Sequence, residues 1–97
     1  MRAARTDGNH AEIVLAWRQA GAFVQSLAAV GCGCVDALVM HTGRIFVVEI
    51  KNGAKCESHR QLTPAEKQWH RMAEAAGVKV HVVTSVDEAL AMIGGGA

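Results

Sequence analysis

Two charged residues sit inside the most hydrophobic segment of the chain, Ile45-Phe46-Val47-Val48-Glu49-Ile50-Lys51. In a β-strand, Glu49 and Lys51 point to one face together with Val47, while Phe46, Val48 and Ile50 point to the other. Burying charge is costly unless the group is paired or bound to a cation. A lone Glu-x-Lys is by default a surface pair where a strand emerges into solvent, and such pairs contribute little. Asp36 changes the reading. It opens the preceding predicted strand, behind the loop Gly31-Cys32-Gly33-Cys34, and a hairpin brings it near Glu49 at one end of the sheet. Two carboxylates there suit a hard divalent cation, which prefers oxygen ligands. A lysine two residues beyond could orient or deprotonate a water, or neutralise charge developing on a phosphoryl group. A bound cation polarises a phosphoryl oxygen and supplies hydroxide for in-line attack.

The elements that must position these residues follow from local patterns. Thr6 or Asp7 can cap a helix running to about residue 20, with Gly21 as its stop and Ile13, Ala16, Trp17 and Ala20 on one face. Residues 22–28 read as a short strand and residues 35–40 as a second. His41-Thr42-Gly43-Arg44 is a hairpin turn, and residues 45–51 form the third strand, antiparallel to the second. Residues 52–62 make a polar loop. Thr63-Pro64-Ala65-Glu66 is a capping box with proline at the first helical position. The helix it opens carries Trp69, Met72, Ala73 and Ala76 on one stripe and stops at Gly77. Residues 78–83 alternate as a strand, and Ser85-Val86-Asp87-Glu88 opens a last helix to Ile93, before a frayed tail. The predicted fold is α/β in the order α-β-β-β-α-β-α, with a mixed sheet of four strands flanked by helices.

Composition bounds the rest. Ninety-seven residues suit one domain with its core over about residues 7–93, and 51% hydrophobic residues argue against disorder. Net charge is only +1, but Lys51, Lys55, Arg60, Lys67 and Arg71 cluster between residues 51 and 71 against Glu57 and Glu66. That stretch could contact phosphates, or be an ordinary solvated loop and helix face. Three cysteines, no signal-like start and no long apolar run point to a reduced, cytoplasmic protein without a membrane span.

Asp36 followed by Glu49-Ile50-Lys51 in a hairpin behind a helix resembles the PD-(D/E)XK nucleases, which have the restriction-endonuclease-like core. Over roughly residues 9–93 the chain is similar to the virus-type replication-repair nuclease (VRR-NUC) domain. A Gly-rich approach to the acidic residue, an acidic-x-Lys strand, a Leu62-Thr63-Pro64 helix start, Trp69 and a Val-rich strand before a final helix carry the likeness. Each motif is short; their order and spacing together are specific. Val35 stands where the family has proline, which stiffens the backbone there and is not a ligand.

The resemblance implies a Mg²⁺- or Mn²⁺-dependent endonuclease acting on DNA phosphodiesters, on branched or junction DNA in replication, repair or recombination. Asp36 and Glu49 would be metal ligands, with the carbonyl of Ile50 as a third, and Lys51 would position water or stabilise charge. Glu12, an acidic residue on the first helix, would be an outer or second-metal ligand. A polar residue on the helix after the Glu-x-Lys strand would assist; Glu66, Gln68 and Gln61 are candidates, Glu66 already having a use in the capping box. Lys55, Arg60, Lys67 and Arg71 would contact DNA. The family also implies a bacterial or phage protein working in the cytoplasm, and a homodimer, which adds burial to a small domain.

Two other readings stand beside this one. The chain could keep the fold and bind DNA without cleaving it. Alternatively Cys32, Cys34, Cys56 and His59 have the ligand types of a zinc-stabilised binding module, although Cys-Gly-Cys is tighter than the spacing of structural zinc knuckles.

Overall fold

The computed structural model describes residues 9–52 and 62–94. Within them the order is α1 (His10–Gln19), β1 (Phe23–Ser26), β2 (Ala37–His41), β3 (Arg44–Ile50), α2 (Pro64–Ala75), β4 (Val80–Val83) and α3 (Val86–Gly94). This is the α-β-β-β-α-β-α sequence expected of the chain. The sheet runs β1-β2-β3-β4, antiparallel for the first two pairings and parallel between β3 and β4. The parallel pair follows from the β3-α2-β4 crossover, since the helix carries the chain back to the end where β3 began.

The β2–β3 hairpin pairs down to His41 opposite Arg44 around a two-residue turn. Thr42 and Gly43 both have positive φ, 48° and 81°, as a type I′ turn requires. This turn sets the register, and the register decides which residues meet at the other end. β1 and β4 are both shorter than their sequence patterns, and β2 starts two residues late, at Ala37.

One face of the sheet carries the core. Ile13 and Trp17 of α1, Ala89 and Ile93 of α3, and Val24, Val39, Phe46, Val48, Ile50 and Val83 of the strands form a single buried cluster. The split of β3 expected from its period of two is present: Phe46, Val48 and Ile50 are buried in this cluster. Trp17 is fully buried, and its indole N–H donates to the carbonyl of Ala89 at 2.9 Å, tying α1 to α3. Asn9, at the head of α1, donates through Nδ2 to the carbonyls of Lys51 (3.2 Å) and Thr84 (2.9 Å). The start of α1 is thereby held at the C-terminal ends of β3 and β4.

Helix α2 packs on the other face, and its start is as the sequence predicts. The Thr63 hydroxyl accepts from the Glu66 N–H, the Glu66 carboxylate accepts from the Thr63 N–H, and Pro64 occupies the first turn. Its inward stripe, however, is not the one that apolar spacing predicts. Met72 is 62% exposed and Ala76 is exposed, whereas His70 is buried. The residues of the helix that are not exposed are Glu66, Trp69, His70 and Ala73. Helical periodicity is read from apolar residues, and two of these four are polar. Trp69 is half-buried, with its ring edge-on to His70. His81 lies edge-on to Phe46 at 5.5 Å on the edge strand β4.

Candidate active site

The C-terminal end of β3, the Gly31–Cys34 loop, and the starts of α1 and α2 enclose a cleft of about 290 Å³. Asp36, Glu49, Ile50, Lys51 and Glu66 line it, together with His10 and Cys34. A parallel strand pair followed by a helix start is where α/β sheets commonly place ligands.

Asp36 lies one residue before β2. Continuing the register of Ala37 opposite Val48 by one step sets Asp36 opposite Glu49, so the two side chains share a face. Asp36 is fixed by its backbone and by its carboxylate. Its N–H donates to Val48 (3.0 Å), its carbonyl accepts from Leu27 (2.8 Å), and its Oδ2 accepts from the Ile50 N–H at 2.7 Å. Ile50 also lines the cleft, with its N–H engaged by Asp36.

Glu49 is 2% exposed, which removes it from the surface-pair class. Its Oε1 lies 3.3 Å from Nε2 of His70, and its carboxyl is in hydrogen-bond contact with that of Asp36. Burial first, and then the neighbouring Asp36 carboxylate, push its pKa up to about 9. A carboxyl so placed is neutral at pH 7 unless a cation offsets the repulsion.

Lys51 reaches across to α2. Its Nζ donates to Glu66 Oε1 at 2.9 Å, and both side chains are largely buried. Burial works against ionisation of Glu66, but the Thr63 N–H and the Lys51 ammonium outweigh it and hold the carboxyl below its usual range. Glu66 thus does two things with one carboxylate: it caps α2 and it anchors Lys51 at the mouth of the cleft. The sequence pattern showed the first of these and concealed the second.

Gly33 explains how α2 comes so near. Its φ is +79°, and a Cβ built there would overlap the backbone carbonyl of Ala65, so only glycine lets the loop lie flush against the first turn of α2.

Other predicted residues lie elsewhere. Glu12 is exposed on α1 and does not line the cleft; His10, two residues earlier, does, with no sequence signal to mark it. Gln68 is exposed and its Oε1 accepts from Arg71 at 2.9 Å, away from the site. Lys67 and Arg71 are exposed on α2. Lys55, Arg60 and Gln61 fall outside the described residues, as do Cys56 and His59. Cys32 and Cys34 are free thiols, and burial, followed by the Glu49 charge, pushes the Cys34 pKa up.

The donor set fits a hard cation through two oxygen-bearing side chains, Asp36 and Glu49, whose mutual repulsion such an ion would relieve. Among the described residues no group of three or more His, Cys, Asp or Glu side chains is arranged to hold a metal, so water or backbone would have to complete the coordination. That is the habit of Mg²⁺, which keeps several of its waters. No helix among the described residues is long and apolar enough to cross a membrane. Comparison of the chain with protein-family models, curated proteins and solved structures finds no match in any of the three.

Proposed function

We propose that this protein is a Mg²⁺- or Mn²⁺-dependent endonuclease of the PD-(D/E)XK type, with a VRR-NUC-like domain, acting on DNA phosphodiesters. One observation carries the reading: Asp36 and the buried Glu49 meet across the hairpin in a cleft that also receives Lys51. A hydrophobic strand has no structural use for a buried glutamate beside a second carboxylate, so the arrangement costs stability for a functional return.

When bound, a divalent cation would polarise the scissile phosphate and lower the pKa of water. Asp36 and Glu49 would hold it, Asp36 already oriented by the Ile50 N–H and Glu49 by the walls of its burial. Lys51 stands two residues along the same strand face, where its ammonium can orient the attacking water or neutralise charge on the phosphate. Glu66 limits where that ammonium can go. The exposed Lys67 and Arg71 on α2 belong to the proposed DNA-contacting surface, and branched or junction DNA is the proposed substrate. The homodimer and the cytoplasmic setting remain part of the same proposal.

A nicking assay on plasmid and on branched DNA, with Mg²⁺ or Mn²⁺, tests it. Wild-type protein should cleave only with the cation, and Glu49→Ala and Lys51→Ala should abolish cleavage while leaving DNA binding. Equal cleavage by wild type and both variants would remove the enzyme reading.

A further inference from the structure

We propose that His70 is a positioning residue for Glu49, fixing the orientation in which its carboxylate can receive a divalent cation. The inference rests on the metal-dependent reading of the same cleft. His70 is 8% exposed and lies on the inward stripe of α2, where an apolar residue would fill the space without any polar cost. Its Nε2 lies 3.3 Å from Glu49 Oε1. An ionised carboxylate can only accept, so with Glu49 charged the imidazole must carry its proton on Nε2 and donate it. One oxygen of Glu49 is then held by α2. Asp36 shows the same design, since the Ile50 N–H holds its Oδ2. Each carboxylate of the pair would have one oxygen oriented by the protein. Outer partners of this kind set the orientation of ligating groups, and losing one costs about 10- to 100-fold in metal affinity.

Three substitutions separate this role from packing. A glutamine amide reaches about as far from the backbone as imidazole Nε2, an asparagine stops short, and leucine fills the volume without a donor. Mn²⁺ affinity is measured by titration calorimetry on the full chain, beside thermal melting in EDTA. His70→Leu and His70→Asn should weaken Mn²⁺ binding about 10- to 100-fold. His70→Gln should restore most of it, although all three melt cooperatively without metal. Unchanged affinity in His70→Leu, or equal losses in His70→Leu and His70→Gln, would overturn the positioning role and leave the nuclease reading standing. Absence of Mn²⁺ binding by the wild-type chain would instead overturn both, and that result is seen before any variant is made.

Discussion

Asp36 and Glu49 stand opposite each other at the open end of the β2–β3 hairpin, one step beyond the last pair that the strands themselves form. Their carboxyl groups touch, and burial with this contact pushes the Glu49 pKa up to about 9. The pair therefore carries an electrostatic cost in the metal-free fold, and most of the expected behaviour of the protein follows from it.

Stability without metal should fall as pH rises. Glu49 has its folded pKa above the ordinary value of 4.5, so between about 4.5 and about 9 the folded state holds a proton that the unfolded chain has lost. The stabilisation is complete below the lower value and is lost progressively towards the upper one. Urea melts in EDTA from pH 5 to pH 9 should show this decline, and Glu49→Gln should flatten it. A wild-type profile that rises over that interval would contradict the burial argument.

Divalent cations should stabilise the protein, and more so at high pH. Binding to Glu49 must displace its proton, so affinity should increase as pH approaches about 9. At a free concentration about 100 times the dissociation constant the gain is about 2.7 kcal/mol. Calorimetry in two buffers of different ionisation enthalpy would detect the released proton, and Asp36→Asn should remove most of the stabilisation.

Glu66 should separate into its two duties by substitution. Glu66→Gln keeps an oxygen for the Thr63 N–H but gives up the charge that anchors Lys51. It should lower stability as well as alter cleavage, both through Lys51, which loses the charged partner of a largely buried pair. Glu66→Ala loses the cap as well and should cost a further ~1 kcal/mol. The Glu66 contribution runs opposite to that of Glu49: its carboxyl is held below 4.5, so the stabilisation is present above that value and lost as pH falls through the lowered pKa. Chemical denaturation of both variants at pH 7 and pH 4 is the measurement.

Gly33→Ala should cost more than Gly31→Ala. Both glycines have positive φ, so each substitution brings backbone strain of about 1 kcal/mol. Only at position 33 does the added Cβ also run into the Ala65 backbone, whereas position 31 is open. The collision adds about 1–3 kcal/mol and pushes the first turn of α2, with Glu66, away from Lys51. Equal melting temperatures for the two variants would show that the loop does not bear on α2.

Local chemistry in the sequence was enough for the order of elements, for the hairpin at Thr42-Gly43, for the Thr63 start of α2 and for the two faces of β3. Each depends on neighbours within a few residues: a turn that needs positive φ, a capping pair three apart, a strand period of two. The meeting of Asp36 with Glu49 was also legible, because a hairpin register is itself nearly local. What only the tertiary structure decided is the depth at which Glu49 lies, the residues that hold it and Lys51, and which face of α1 looks into the cleft. His70 and Glu66 reach β3 across 21 and 15 residues of chain. His10 rather than Glu12 lines the site because Asn9 pins the head of α1 to β3 and β4. Polar residues on an inward helical stripe leave no mark in hydrophobic periodicity, and the docking of a helix on a sheet is set by packing over the whole molecule, so these contacts exist only once the fold has closed.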